Sequence, residues 1–430
     1  MRILLLNQTF YPDVASTAQY LGDLAMRLAS RGHQVTVVTS QQAYDDGARR
    51  FPRRENWRNI DIHRVPSTGF GKRAKWRRAL DFASFLVSAS LRALTLRRHE
   101  VIVALTSPPL IAFVAAWLAR LWGSRFFYWV MDLNPDEALR AGWLKPSSLM
   151  SLALDCMSRF SLRQAEKNIV LDRFMRTLVA NKGVSVDRIR VIPPWSHDEV
   201  VTFDAGGREE FRRAHGLNGK FVIMYSGNHS PCHPLDTLLR AAQRLADRPE
   251  FAFCFVGGGS EFAGVRRFAQ QHPLAQIVCL PYQPLSRLAG SLSAADLHVV
   301  VMGGPFVGTI HPCKVYNILR VGAPMLYLGP SPSHVSDILD ELGENPFWRR
   351  VAPGDVDRVL QCITEIARTG QRGDVAALDR IARRFSIDTL LPRLVAELEA
   401  APEPGRAWNR TPRASVPLPG RGKPNAICSD

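Results

Sequence analysis

The chain has 430 residues, 46% hydrophobic and 22% charged, a balance that excludes intrinsic disorder and, at this length, favours two domains over one. The formal charge of +16 turns the surface toward polyanions: nucleic acid, anionic lipid headgroups or phosphorylated small molecules. Seven cysteines, an odd number with no C-x-x-C pair, argue against a disulfide framework.

The opening Ile3–Leu6 run has no small-residue cleavage pattern behind it and reads as a buried strand, not a signal peptide. Helical spacing of Leu21, Leu24, Ala25 and Leu28 predicts a helix from about Thr17 to Ser30, stopped at Arg31-Gly32-His33 and followed by a strand over Val35–Thr39. Further strands are expected at Ile60–Val65, Val101–Leu105, Arg125–Val130, Asn168–Leu171 and Arg190–Ile192, with helices between them. The longest apolar run, from Pro108, is ended by Arg120, short of the ~20 residues that span a bilayer. A polar stretch from Ser196 to about Gly219 is expected to link the domains. The pattern then restarts, with strands at Phe221–Ser226, Phe251–Val256, Ile277–Leu280, Leu297–Val301 and Met325–Leu328, and closes on a helix over Ser386–Glu399. Continuous apolar strands alternating with helices predict two parallel sheets covered on both faces. The expected division is 1–200, 201–385, a returning helix at 386–400, and a Pro- and Gly-rich tail at 401–430, expected to be disordered.

In such sheets ligands bind beyond the carboxyl ends of the strands. Tyr225-Ser226-Gly227-Asn228 is either a plain strand-to-helix turn or a place where a phosphate approaches glycine backbone and a helix N-terminus. Gly257-Gly258-Gly259 lacks the G-x-G-x-x-G spacing, which excludes a dinucleotide redox site and leaves a tight turn or a close ligand approach. Lys314, just inside a helix opened by Pro312, is either solvated or a point charge for a diphosphate. Ser16 and Thr17 either cap the first helix or offer hydroxyls to a ligand. Asp132, at a strand's end, either caps the next helix or orients an acceptor hydroxyl. No D-x-D segment or His/Cys cluster with metal-ligand spacing stands out.

These segments, with Val191-Ile192-Pro193-x-Trp195 and Gly322-x-Pro324, together resemble family 4 retaining glycosyltransferases of the α/β GT-B fold, in which two Rossmann-like doubly wound domains face each other across a cleft. The nearest subgroup is that of bacterial exopolysaccharide, colanic-acid or O-antigen assembly, and the resemblance covers about residues 1–400. It implies a nucleotide-sugar donor, UDP- or GDP-linked, no further cofactor, no metal, and front-face transfer with retention to a lipid-linked or glycan acceptor. It implies donor contacts at Gly227, Tyr282, Tyr316 and Asn317, with Lys314 on the diphosphate; Ser16, Thr17, Asn228, Gly257 and Gly258 are expected to complete the donor site from their own positions. Asp132 stands where many relatives keep a histidine near the sugar. Two departures are plain. The family's paired glutamates are Thr309 and Asn317 here, and its cations after the Ser-Gly turn read as Asn228 and, approximately, His233.

The basic, aromatic stretch Lys72, Arg73, Lys75, Trp76, Arg77 and Arg78 has the composition of a membrane contact, whereas Leu80–Leu96 reads as a helix packed on the sheet with a basic outer face. The expected location is cytoplasmic, at an anionic membrane surface. Nucleic-acid binding has only the charge in its favour, and a catalytically inactive binding protein of the same fold is the other alternative.

Overall fold

The computed structural model describes residues 1–13, 15–43, 49–70, 75–196, 201–343, 345–369 and 375–401. Residues 1–400 form one compact unit containing two sheets. Strands β1 (Arg2–Leu6), β2 (Gln34–Ser40), β3 (Arg54–Trp57), β4 (Ile60–Val65), β5 (Val101–Ala104), β6 (Arg125–Trp129), β7 (Lys167–Val170) and β8 (Ile189–Val191) make the first. Its order is β3-β4-β2-β1-β5-β6-β7-β8, parallel except for β3. Strands β9 (Phe221–Asn228), β10 (Phe251–Gly258), β11 (Ile277–Leu280), β12 (Leu297–Val301), β13 (Met325–Leu328) and β14 (Trp348–Val351) make the second, ordered β11-β10-β9-β12-β13-β14 and parallel throughout. The order reverses at β1/β5 and at β9/β12, the kind of reversal beside which such sheets bind ligands.

The central parallel strands are apolar because helices cover both faces: Ile3, Leu4 and Leu5 are each 0% exposed. In the first lobe the helices that matter below are α1 (Ser16–Ser30), α2 (Lys75–Leu94), α3 (Ile111–Trp122), α4 (Asp136–Arg140), α5 (Leu149–Gln164) and α6 (Arg173–Asn181).

Three sequence expectations change. The expected linker holds a helix, Ala205–Ala214, capped by Asp204, whose side chain accepts from the Gly207 amide. Gly206-Gly207 reads as a helix breaker, but a Cβ on Gly207 would stand 2.7 Å from the Gly290 Cα, so the glycine is a helix–helix contact. The hairpin partner β3 was not expected: its two-residue turn is Arg58-Asn59, both at positive φ, without the Asn-Gly signature. Edge strand β14 was hidden by its paired arginines, Arg349 and Arg350. The tail 402–430 lies outside the described residues.

The lobes meet at several points. The Leu133 amide donates to the Thr309 carbonyl at 2.8 Å, and Arg140 donates to the Pro305 and Val307 carbonyls. Within the first lobe, Trp195, 1% exposed, donates from Nε1 to Asp23 and packs edge-on against Tyr20. The last helix, Ile387–Glu399, lies against the first lobe. Its Glu399 pairs with Arg31, its Glu397 with Arg190, and its Leu398 carbonyl accepts from Arg125.

Candidate active site

Strand β9 runs past Ser226 to Asn228, and β10 runs to Gly258, so the two glycine segments are paired strand ends, with Gly227 opposite Gly257. The next helix, Asp236–Arg244, opens eight residues beyond Asn228, so no helix N-terminus directly follows the Gly227 turn. The closeness of the strand ends is what requires glycine. Gly227 has φ +144, and a Cβ there would meet the Lys314 Nζ at 3.0 Å; one on Gly257 would sit 2.1 Å from the Gly227 carbonyl oxygen. Tyr282, half-exposed, lies across Gly258, and Asn228 is exposed at the strand's tip.

Lys314 is the first residue of the helix Lys314–Val321, and its ammonium is folded back over this floor. Its Nζ lies 3.7 Å from the Tyr225 ring centroid, is buried, and has no hydrogen-bond partner among the described residues. Burial pulls its pKa down to about 7. Two histidines flank it. His229 is pushed down to about 4 and His233 to about 3, in each case by burial first and then by Lys314. His229 Nδ1 bonds the Gly227 carbonyl and His233 Nδ1 the Val301 carbonyl, so each neutral ring carries its proton there. A buried cation without a counter-charge is costly. An anion entering at Gly227 removes that cost.

The opposite wall carries acid. Asp132 follows β6, and burial, with Glu137 behind it, pushes its carboxyl well above the usual range. Glu137 is raised in the same way by burial. The Cys232 thiol donates to Glu137 Oε1 at 3.7 Å from the other lobe, and Asn134 Nδ2 lies 3.5 Å from Oε2. Asp136, between the two acids in sequence, is taken by Lys182 at 2.8 Å. Asp132 and Lys314 both act on Cys313, so the two residues singled out for chemistry face one spot. Sequence reading missed Glu137, because an acid in a helix's first turn ordinarily serves the helix dipole.

The remaining expected donor residues divide. Ser16 is exposed in the first turn of α1, whose N-cap is Ala15 with no side-chain cap, so neither Ser16 nor Thr17 caps it. Thr17 Oγ1 instead bonds Thr9 Oγ1 at 3.0 Å. Asn317 is partly accessible. Tyr316 is a correction: it is 1% exposed, its hydroxyl bonds His311 Nε2 at 2.6 Å, and its ring packs on Phe385 at 4.4 Å. Helical geometry turns it inward while Lys314, two residues earlier, faces the cleft. Thr309 is fully buried and donates to the Phe306 carbonyl, so its hydroxyl does not replace the absent glutamate.

The structure also gathers a cluster that sequence distance concealed: Asp172, His311 and His334 offer ligand atoms within 4.8 Å of one another. The rings of His311 and His334 are stacked at 3.8 Å and 25°, however. A metal–imidazole bond lies in the ring plane, and two stacked planes do not converge on one ion. Both nitrogens of His311 are engaged, by Asp172 at 2.8 Å and by Tyr316. Asp172, His311 and Tyr316 therefore read as an interlobe hydrogen-bond chain, with the His334 ring stacked beside it.

Of the membrane-contact residues, Trp76, Arg77 and Arg78 are exposed at the start of α2, where Arg77 covers the Trp76 ring. Lys72 and Arg73, and the Lys75 side chain, lie outside the described residues.

Two largely parallel sheets in lobes that meet near Asp132, Glu137 and Cys232, with a buried unpaired amine nearby, have the architecture of the GT-B fold. Residues 17–195 match the model of the glycosyl transferase 4-like domain. The chain is 28% identical over 343 residues to the WcaI protein of Escherichia coli K12, named for colanic acid biosynthesis glycosyl transfer; the match covers 75% of this chain and 82% of that one. It is 25% identical over 302 residues to the WbjE protein of Pseudomonas aeruginosa, named as a glycosyltransferase, covering 70% and 73%. Among solved structures, Anabaena HepE in complex with UDP aligns at TM-score 0.68 and 15% identity, over 93% of this chain and 99% of that one. WaaG, a glycosyltransferase of lipopolysaccharide biosynthesis, aligns at 0.66 and 14%, over 93% and 100%. The chain thus carries a glycosyl transferase 4-like domain over residues 17–195 and is similar to glycosyltransferases of the exopolysaccharide and O-antigen type.

Proposed function

We propose that this glycosyltransferase moves a sugar, with retention and without a metal, from a UDP- or GDP-linked donor to a lipid-linked or glycan acceptor in cell-surface polysaccharide assembly. The observation that carries the reading is the buried, unpartnered Lys314 amine over the Gly227 floor. It supplies the charge that a leaving diphosphate develops, in a dry site where one fixed cation is worth most. Gly257, Gly258 and Asn228 line the same floor, Tyr282 is placed to cover a base, and Ser16, Thr17 and Asn317 stand for donor hydroxyls. Asp132, its carboxyl raised by burial and by Glu137, stands where it can hydrogen-bond an acceptor hydroxyl and orient it. UDP stands in the HepE complex, and the overall likeness to that fold favours the same class of ligand here.

The enzyme works in the cytoplasm at the inner membrane face, held by Trp76, Arg77, Arg78 and the basic residues before them. Among the described residues no helix is long and apolar enough to cross a membrane. A screen of nucleoside diphosphates and their sugars by thermal shift tests the donor. One nucleotide should raise the melting temperature, and Lys314→Ala should cancel the rise. If no nucleotide stabilises the wild type, the reading fails. The inward turn of Thr309 favours one second reading, a binding protein that holds donor without transferring sugar. Release of the nucleoside diphosphate in the presence of lipid-linked acceptor would rule it out.

A further inference from the structure

We propose that Asp172 and His311 are positioning residues for sugar transfer: the hydrogen bond between them, made across the lobes, holds Asp132 of the first lobe in register with Lys314 of the second. This rests on the transfer reading above and adds to it a pair that touches neither donor nor acceptor.

Asp132 follows β6 of the first sheet, whereas Lys314 opens a helix of the second lobe. Their spacing is therefore set by how the lobes meet. The segment of the second lobe that leads into Lys314 runs along the first lobe. Its Thr309 carbonyl accepts from the amide of Leu133, the residue after Asp132, at 2.8 Å. A Cβ on Gly308, at φ +76, would stand 2.8 Å from the Phe174 carbonyl carbon, so α6 touches this segment backbone to backbone. The Cys313 side chain, next to Lys314, bonds Tyr20 of α1. Between these points His311 reaches Asp172, the N-cap of α6, at 2.8 Å.

Among these contacts the Asp172–His311 bond alone is both buried and charge-assisted. The two side chains are 7% and 1% exposed. Burial by itself would raise the Asp172 carboxyl, but the bond from His311, helped by the Met175 amide, holds it below its ordinary range. A carboxylate only accepts, so His311 Nδ1 carries a proton toward it. In the neutral ring Nε2 is left to accept from the Tyr316 hydroxyl at 2.6 Å, and one face of the ring is covered by His334. Asp172 is fixed at its other oxygen, which takes the Met175 amide at 2.8 Å. Both partners are thus held from their own lobes.

The neighbouring ion pair across the seam, Arg173 with Asp337, is 61% and 32% exposed and holds the lobes weakly. A charge-assisted bond is roughly twice as strong as a neutral one, and a slip of the lobes would leave a buried carboxylate without its donor, which is costly. The Gly227 floor and Lys314 both belong to the second lobe, so loosening this bond should spare donor affinity. It should slow transfer, because a misplacement of ~1 Å between reacting groups lowers rate by about 10²-fold.

The test uses the full chain, the nucleotide sugar that the thermal-shift screen selects, and a lipid-linked sugar as acceptor. His311→Leu removes the bond. Asp172→Asn keeps the cap on α6 but turns an amide NH2 toward Nδ1. His311→Asn restores a donor near the place of Nδ1. His311→Leu should lower kcat about 10²-fold and Asp172→Asn about 10-fold, with donor Kd by calorimetry within about 3-fold of wild type in both. His311→Asn should recover most of the rate lost in His311→Leu. Hydrogen exchange at the Leu133 amide, beside Asp132, should quicken by about 10-fold in His311→Leu without any ligand present. Where His311→Leu gives no cooperative melt, Asp172→Asn, which takes away the buried charge, decides by the same readouts. The proposal is overturned by an unchanged kcat in a folded variant, by a loss of donor affinity as large as the loss of kcat, by His311→Asn as slow as His311→Leu, or by unchanged exchange at Leu133. A wild type that binds no nucleotide sugar sinks the transfer reading instead, and exchange at Leu133 then shows whether the bond holds the seam.

Discussion

Lys314 gives a sharp prediction about protons. A lysine with an ordinary pKa near 10.4 would be charged throughout the working range and would neither take up nor release a proton on binding a diphosphate. In the free protein burial holds its pKa at about 7. An anion against Nζ favours the charged form and raises the pKa, so binding must draw a proton from solution wherever the free amine is neutral. With that starting value, uptake should be roughly 0.1 proton at pH 6 and about 0.9 at pH 8. The sign follows: affinity is greatest below pH 7 and weakens above it, by about 10-fold between pH 6 and pH 8, or about 1.4 kcal/mol. A nucleotide sugar is the ligand to use, because its diphosphate diester has no proton to lose in this window. Titration calorimetry in buffers of different ionisation enthalpy reads the uptake directly. His229 and His233, at about 4 and 3, stay neutral across the window and contribute nothing. The raised Asp132–Glu137 pair could add uptake of its own, so Lys314→Met and Asp132→Asn are both needed. Uptake at pH 8 that is lost in Lys314→Met and kept in Asp132→Asn supports the reasoning. No uptake in the wild type, or uptake unaffected by Lys314→Met, refutes it.

Other outcomes follow from the same geometry. Gly227→Ala should weaken nucleotide-sugar affinity at least 10-fold in calorimetry, because φ +144 disfavours a side chain and the new Cβ meets the lysine at 3.0 Å. Asp132→Asn should lower kcat by about 10²-fold in a transfer assay while donor affinity stays within a few-fold, since its part lies with the acceptor. Tyr316→Phe should cost about 1 kcal/mol of stability, read as a melting temperature lower by a few degrees, and leave donor affinity unchanged, because its hydroxyl serves His311 and not the cleft. A large loss of donor affinity in Tyr316→Phe would return that residue to the donor site.

Periodicity and turn chemistry were enough to reveal the strand-and-helix alternation, because fully buried parallel strands leave unbroken apolar runs whatever surrounds them. The same reading picked out the strand ends at Gly227 and Asp132 and the helix start at Lys314 as places open to a ligand. It misplaced elements whose cause is a neighbour distant in sequence. The helix Ala205–Ala214 keeps Gly207 because Gly290 packs against it, and β3 turns on Arg58-Asn59 under the pull of β4.

What the sequence determined by itself was the class of fold and the strand-end positions open to a ligand, since both depend on local pattern. What only the tertiary structure decided was which side chains meet. Lys314 folds back over a floor made by another strand, Glu137 joins Asp132 beside a cysteine of the other lobe, and Tyr316 turns into the core two residues from an amine that faces the cleft. The outer stripe of α2, expected to be basic, belongs with these, since Leu80, Val87, Leu91 and Leu94 are exposed there. A helix that is apolar on two sides reads in sequence like one packed on two sides, and packing alone shows which side was left uncovered.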